Sequence, residues 1–141
     1  MKKTLLILLA GILAVAFSAC KNEKEEALKQ LQIQLGSINA ECPMQVDEIT
    51  TWESFGIEDG NIVYSYTVMD VEGVDVIKLL KENAAEQKKN LENNLKQTDE
   101  FMTDSKPLVV KAGLGIKYVY TSSSTGDKAE MIFTPEEVAA L

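Results

Sequence analysis

The alternation of apolar and polar residues is clearest between Val46 and Val68. Val46–Ile57 and Ile62–Val68 are two β-rich runs separated by Glu58-Asp59-Gly60-Asn61. Asp-Gly between such runs predicts a type I′ hairpin, because both central residues need a positive φ. A two-residue turn at Asp59-Gly60 sets the register. Ile57 then faces Ile62, Phe55 faces Tyr64, Glu53 faces Tyr66 and Thr51 faces Val68, all on one expected core face. Gly56, Val63, Ser54, Ser65, Trp52 and Thr67 fall on the other face. Trp52 there either meets a helix or is exposed.

Helical spacing brackets this hairpin. Leu28, Leu31 and Leu35 recur at threes and fours within Glu23–Leu35, with Ile33 off the stripe and Gly36 as a stop. Ser37–Pro43 reads as a loop. Val74–Asp104 carries Ile77, Leu80, Ala84, Leu91, Leu95, Thr98 and Met102 at threes and fours, with Asp75 as N-cap. It is one helix, or two broken near Asn93–Asp99. Its polar residues from Lys78 to Lys96 form a solvated face or a partner face. Pro107 marks a second break, Ser105 is a candidate cap, and Leu108–Ala112 is a short helix ended by Gly113.

A second hairpin follows. Ile116–Ser122 and Lys128–Phe133 flank a turn within Ser123–Asp127. Ile116, Tyr118 and Tyr120 share one face, as do Ala129, Met131 and Phe133. Thr134-Pro135-Glu136-Glu137 has the residues of a capping box opening a last short helix. One weak repeat is visible: Ile62-Val-Tyr64-Ser-Tyr66-Thr67 against Ile116-Lys-Tyr118-Val-Tyr120-Thr121. The two copies occupy different places in their hairpins, so duplication is not the expected cause. The predicted fold is α+β: a four-stranded antiparallel sheet from two hairpins, with helices packed on one face in the order α-ββ-α(α)-ββ-short α.

The N-terminus breaks both periods. Lys2 and Lys3 precede an apolar run of 13 residues, Leu5–Phe17. A membrane-spanning helix needs about 20 residues. A basic start, a short apolar run and small residues mark a secretory signal. Phe17-Ser18-Ala19-Cys20 resembles the cleavage motif of bacterial lipoproteins. That resemblance implies lipid on Cys20 and anchoring by two or more acyl chains. The alternative is an ordinary signal cut near Ala19, with Cys20 free. Lys21–Glu26 is polar and resembles the acidic tether of Bacteroides-type lipoproteins, or is a plain spacer. In enteric bacteria an Asp after the cysteine favours the inner membrane; Lys21 stands there, so the outer membrane is expected, on either face. The expected divisions are 1–19 signal, 20–26 polar tether and 27–141 a single α+β domain.

Charge and composition narrow the chemistry. The full chain carries a net charge of −8 with no histidine, and every basic residue is lysine. Without histidine there is no Ser-His-Asp or Cys-His arrangement and no imidazole acid/base. Without arginine there is no bidentate phosphate clamp. An acidic chain is a poor nucleic-acid binder, since that affinity rests on neutralising phosphates. No cofactor motif and no metal-ligand cluster stands out. With Cys20 lipidated, Cys42 is the one thiol left, either a small buried hydrophobe or a reactive group, although Glu41 and Asp47 nearby have the wrong sign to activate it.

These features predict a non-enzymatic envelope binding module, tied to the membrane through Cys20 and docking another envelope protein. Trp52, Glu58 and Asp59 are its candidate contacts. The alternative is an acidic inhibitor or immunity protein against a basic envelope hydrolase. An enzyme would have to rest on Glu53 facing Tyr66.

One further likeness is carried by Asn39-Ala40-Glu41-Cys42-Pro43-Met44-Gln45-Val46-Asp47, then Tyr64-Ser65-Tyr66, then Gly113 or Gly115 before Tyr118 and Tyr120. This order resembles a family of small lipoproteins and secreted proteins of Gram-negative bacteria, of Bacteroides type, whose function is unknown. The likeness implies a shared fold and no chemistry.

Overall fold

The structure, a computed structural model, describes residues 22–141. The signal, Cys20 and Lys21 lie outside the described residues. The Asp-Gly turn forms as expected. Asp59 and Gly60 have φ of 50° and 78°, and they join β2 (Thr50–Glu58) to β3 (Asn61–Val68). Ile57 pairs with Ile62 and Phe55 with Tyr64, as the two-residue turn requires. Beyond Ser54 the register departs from expectation, as described below.

The sheet has five strands in the order β1-β2-β3-β4-β5. β1 is only Met44–Gln45, antiparallel to β2. Two residues are too few to show alternation, which is why four strands were expected. β4 (Gly115–Ser122) and β5 (Lys128–Phe133) form the second hairpin, with Ile116 opposite Phe133, Tyr118 opposite Met131 and Tyr120 opposite Ala129. β4 lies beside β3 in parallel. The sheet is therefore mixed, and the expected all-antiparallel sheet is corrected. The physical reason is the long helical connection, which carries the chain back to the start of β3. A crossover of a dozen or more residues is what a parallel pair needs. The Gly115 N–H donates to the Gly60 carbonyl at 3.1 Å, fixing where β4 begins.

Helix α1 covers 22–39 and passes through Gly36 without stopping. Ala27, Leu31 and Leu35 are its buried stripe, and Ile33 is 72% exposed. Residues 22–26 are helical and exposed, so the boundary expected at residue 27 falls inside this helix. Asp75 caps α2 (Val76–Glu82), accepting from the Lys78 N–H at 3.0 Å. Asn83 separates α2 from α3 (Ala84–Gln97), an extra break the periodicity does not show. Thr98 ends α3, within the expected Asn93–Asp99 interval.

A π-helical turn, Phe101–Ser105, then runs unbroken into α4 (Lys106–Ala112). Pro107 does not break the chain. It follows directly on the π-helical turn, as the second residue of α4. Ser105 makes no side-chain cap bond, and Gly113 ends α4 at φ 66°. Thr134 and Glu137 form the capping box of α5 (Pro135–Ala139).

All the helices cover one sheet face, as expected. Leu31, Val109 and Val138 from the helices meet Phe55, Ile62, Ile116, Tyr118, Met131 and Phe133 from the sheet in one core. A smaller cluster of Val68, Ile77 and Ala129 lies under α2. The opposite face carries Val63, Ser65, Val119 and a Lys117–Glu130 ion pair at 3.5 Å.

Candidate functional site: an aromatic cleft beside the first helix

One extra residue in β2 creates the site. Between Trp52 and Ser54 the register shifts, so Trp52, not Glu53, stands opposite Tyr66. Glu53 is the bulged residue and is exposed. A one-residue slip exchanges the two faces of a strand. Trp52 therefore crosses from the polar face, where unbroken alternation puts it, to the helix-covered face. The expected Glu53–Tyr66 pair does not form, and the enzyme reading built on it loses its carboxylate.

Asn39, in the last turn of α1, holds the bulge. Its Oδ1 accepts the Phe55 N–H at 2.8 Å. This gives the Asn-x-x-Cys-Pro segment a structural role that its sequence alone did not disclose. The Trp52 Nε1–H donates to the Ser54 carbonyl at 3.1 Å, closing the bulge from the other side.

Trp52 stacks on Tyr64 and Tyr66, with ring centres 5.9 and 6.3 Å away. Its edge contact with Phe55 is at 5.5 Å. Tyr64 stacks on Tyr118 at 4.6 Å, and Tyr66 on Tyr120 at 5.0 Å. All four tyrosines of the chain are thus in one aromatic layer. Burial pushes the Tyr64 phenol up to about 12 and raises the other three as well. These hydroxyls stay protonated at neutral pH and supply aromatic surface rather than acid/base chemistry.

At one end of this layer is a cleft of about 190 Å3. Leu31, Leu35 and Ile38 of α1 form one wall. Trp52, Phe55, Ile62 and Tyr64 form the floor, and Phe101 and Val109 the other wall. Gln34, Thr98, Glu100 and Ser105 complete the lining with polar groups. Small-molecule sites usually enclose roughly 300–1,000 Å3. This cleft is smaller, and suits one or two apolar side chains of a larger partner better than a whole cofactor.

The predicted contacts are not brought together. Trp52 lies in the cleft floor, whereas Glu58 and Asp59 are exposed at the hairpin tip. Six strand residues separate Trp52 from Glu58, about 20 Å. Cys42 is half-buried, and its thiol donates to the Ile38 carbonyl at 3.9 Å. Burial raises its pKa, and the charges of Glu41 and Glu53 raise it further, which disfavours a thiolate. Among the described residues no group of three or more Cys, Asp or Glu is placed to hold a metal, and no helix is long and apolar enough to cross a membrane. Phe101 and the α1 wall were missed as site residues. The Leu31–Leu35 stripe signalled a buried face without showing that part of it stays open.

The chain belongs to the family defined by a domain of unknown function, DUF8479, whose model matches residues 21–131. No curated protein matches it. Two solved structures share its fold. One is a candidate secreted protein from Pseudomonas aeruginosa, 13% identical, with a TM-score of 0.64 over 82% of this chain and 96% of that one. The other is a pilotin of the type 2 secretion system of Vibrio vulnificus, 9% identical, with a TM-score of 0.54 over 84% of this chain and 96% of that one. At such identities the likeness is one of fold.

Proposed function

We propose that this DUF8479 protein is a lipid-anchored, non-enzymatic binding module of the bacterial cell envelope. Cys20 carries the lipid, the outer membrane is its site, and the aromatic cleft takes an apolar segment of another envelope protein. The cleft carries this reading. A tryptophan moved by a bulge onto a stacked tyrosine layer, facing a half-open helix stripe, is a preformed apolar receptor. Buried aromatic anchors in such settings dominate binding energies. The absence of histidine and arginine from the sequence narrows the scope for catalysis. The fold shared with a secretion-system pilotin supports a partner among envelope proteins.

The test is site-specific photo-cross-linking in intact cells. A cross-linker at Ile38, on the cleft wall, should give a defined adduct with one envelope protein. Trp52→Ala should abolish it, and a cross-linker at Ile132, on the open sheet face, should not form it. Equal adducts from both positions would remove the cleft from the mechanism. Metabolic palmitate labelling checks the anchor, and equal label in wild type and Cys20→Ser would end it. The acidic-inhibitor alternative rests on the net charge alone, and predicts a basic hydrolase in the adduct whose capture weakens with salt.

A further inference from the structure

We infer that the anchored domain stands on the membrane with one defined end down: the first turn of α1, the end of α4 and the β2–β3 turn face the lipid, and the far ends of β3 and β4 point away from it. The inference rests on the proposed lipid at Cys20. It adds an orientation, and a lipid surface as the partner of one end of the fold.

The geometry starts at Asn22, which is already helical. Two residues from Cys20 reach at most about 7 Å. Helix α1 is packed into the core by Ala27 and Leu31, which are 2% and 0% exposed. No long free tether separates this core from the acylated residue. The start of α1 also sits beside two other segments. Asn22, Glu26, Leu108 and Lys111 line one shallow depression between α1 and α4. The Lys24 Nζ lies 3.9 Å from where a side chain on Gly113 would begin. Two residues on, Gly115 bonds to Gly60 of the hairpin turn. Three elements thus share the anchored end.

The cleft starts beside this end, since its floor residue Ile62 follows Asn61, and reaches up along the strands to Ile38, whose neighbour Asn39 bonds to Phe55 about 10 Å from the turn. Val71, just past the far end of β3, is separated from Asn61 by a strand of about 26 Å. Charge alone does not impose this pose. Glu23, Glu25, Glu26, Glu58 and Asp59 outnumber Lys24 and Lys111 at the anchored end, and an anionic leaflet repels such a surface. The same acids argue against α1 lying flat on the bilayer. The short covalent reach holds the end within about one Debye length of the headgroups. Glu58 and Asp59, expected from sequence as partner contacts, therefore become part of the membrane-facing end.

The experiment uses the full chain, made and processed in a bacterium, with Cys42→Ala. Single cysteines at Lys111, Ile38 or Val71 carry a fluorophore. The protein is reconstituted in phosphatidylethanolamine–phosphatidylglycerol vesicles with a nitroxide quencher on the headgroup. Quenching at Lys111 should exceed that at Val71 several-fold, with Ile38 between them, and the gradient should survive high salt. Equal quenching at all three positions would overturn the orientation by showing that the first turn of α1 unwinds into a swivel. Stronger quenching at Val71 would invert it. If the chain neither floats with vesicles nor incorporates palmitate, the anchor fails and the orientation with it. If it floats without a gradient, the orientation alone fails.

Discussion

Tyr64 and Tyr118 lie face to face, ring centres 4.6 Å apart and planes 13° from parallel. They are 54 positions apart in sequence and occupy equivalent places in two matching strand segments. In-register parallel pairing sets Ile62 beside Ile116, Tyr64 beside Tyr118, Tyr66 beside Tyr120 and Thr67 beside Thr121. Adjacent strands are about 4.8 Å apart, so like residues on one face meet at stacking distance. The weak repeat is thus accounted for by two strands laid side by side. Each aromatic pair contributes roughly 0.5–1.5 kcal/mol beyond its area burial.

Replacing Tyr118 should therefore be costly. Tyr118 is 5% exposed and touches both Tyr64 and Phe133. Tyr118→Ala should destabilise the domain by about 3–5 kcal/mol, as large aromatic truncations do in cores. Urea unfolding followed by Trp52 fluorescence measures it. A loss below 1 kcal/mol would show that the layer contributes little to stability.

The elements that could be read from sequence are those with local chemical demands. Asp59-Gly60 must turn because both residues take positive φ. Thr134 and Glu137 declare a helix start through their own side chains. The bulge at Glu53 has no such signature, since Thr51-Trp52-Glu53 alternates imperfectly in either register. The parallel pairing of β3 and β4 is decided by how a long helical crossover packs, and two hairpins in sequence carry no mark of it. The cleft needed both unknowns. Its α1 wall was visible as a leucine stripe, but its floor exists only after the bulge turns Trp52 inward.

Alkaline pH should unfold the protein through the tyrosine layer. An unfolded phenol ionises near 10, whereas Tyr64 in the fold is pushed up to about 12. Between these values the unfolded state loses a proton that the folded state keeps. Stability is full below about pH 10 and falls as pH rises through this window. With all four tyrosines in one layer, phenolate absorbance should rise together with loss of the Trp52 signal. A full absorbance step at pH 10 with unchanged fluorescence would contradict this.

Two strand glycines should respond oppositely to alanine. A Cβ at Gly115 would lie 2.5 Å from the Asn61 Oδ1 and 2.6 Å from the Phe133 carbonyl, whereas one at Gly56 meets nothing within 4 Å. The Phe133 carbonyl is backbone and cannot swing away. Gly115→Ala should cost about 1–3 kcal/mol, the scale of overpacking. Gly56→Ala should be neutral or slightly stabilising, because it restricts the unfolded chain. Thermal unfolding of the two variants separates them, and equal melting temperatures would refute the close approach at Gly115.

Asn39 should control the cleft without lining its floor. Its Oδ1 is the acceptor for the Phe55 N–H, and Phe55 is 8% exposed. Asn39→Ala leaves that amide without its partner, a loss of about 1–3 kcal/mol. It also releases the restraint that keeps Glu53 bulged, so Trp52 can slip towards the opposite face. Asn39→Asp keeps an acceptor at the same place and should lose less. The readout is the chain's one tryptophan. Asn39→Ala should shift Trp52 emission to longer wavelength and raise its quenching by acrylamide, while Asn39→Asp stays near wild type. If Asn39→Ala loses stability but leaves Trp52 emission and quenching unchanged, Asn39 supports the fold without setting the cleft.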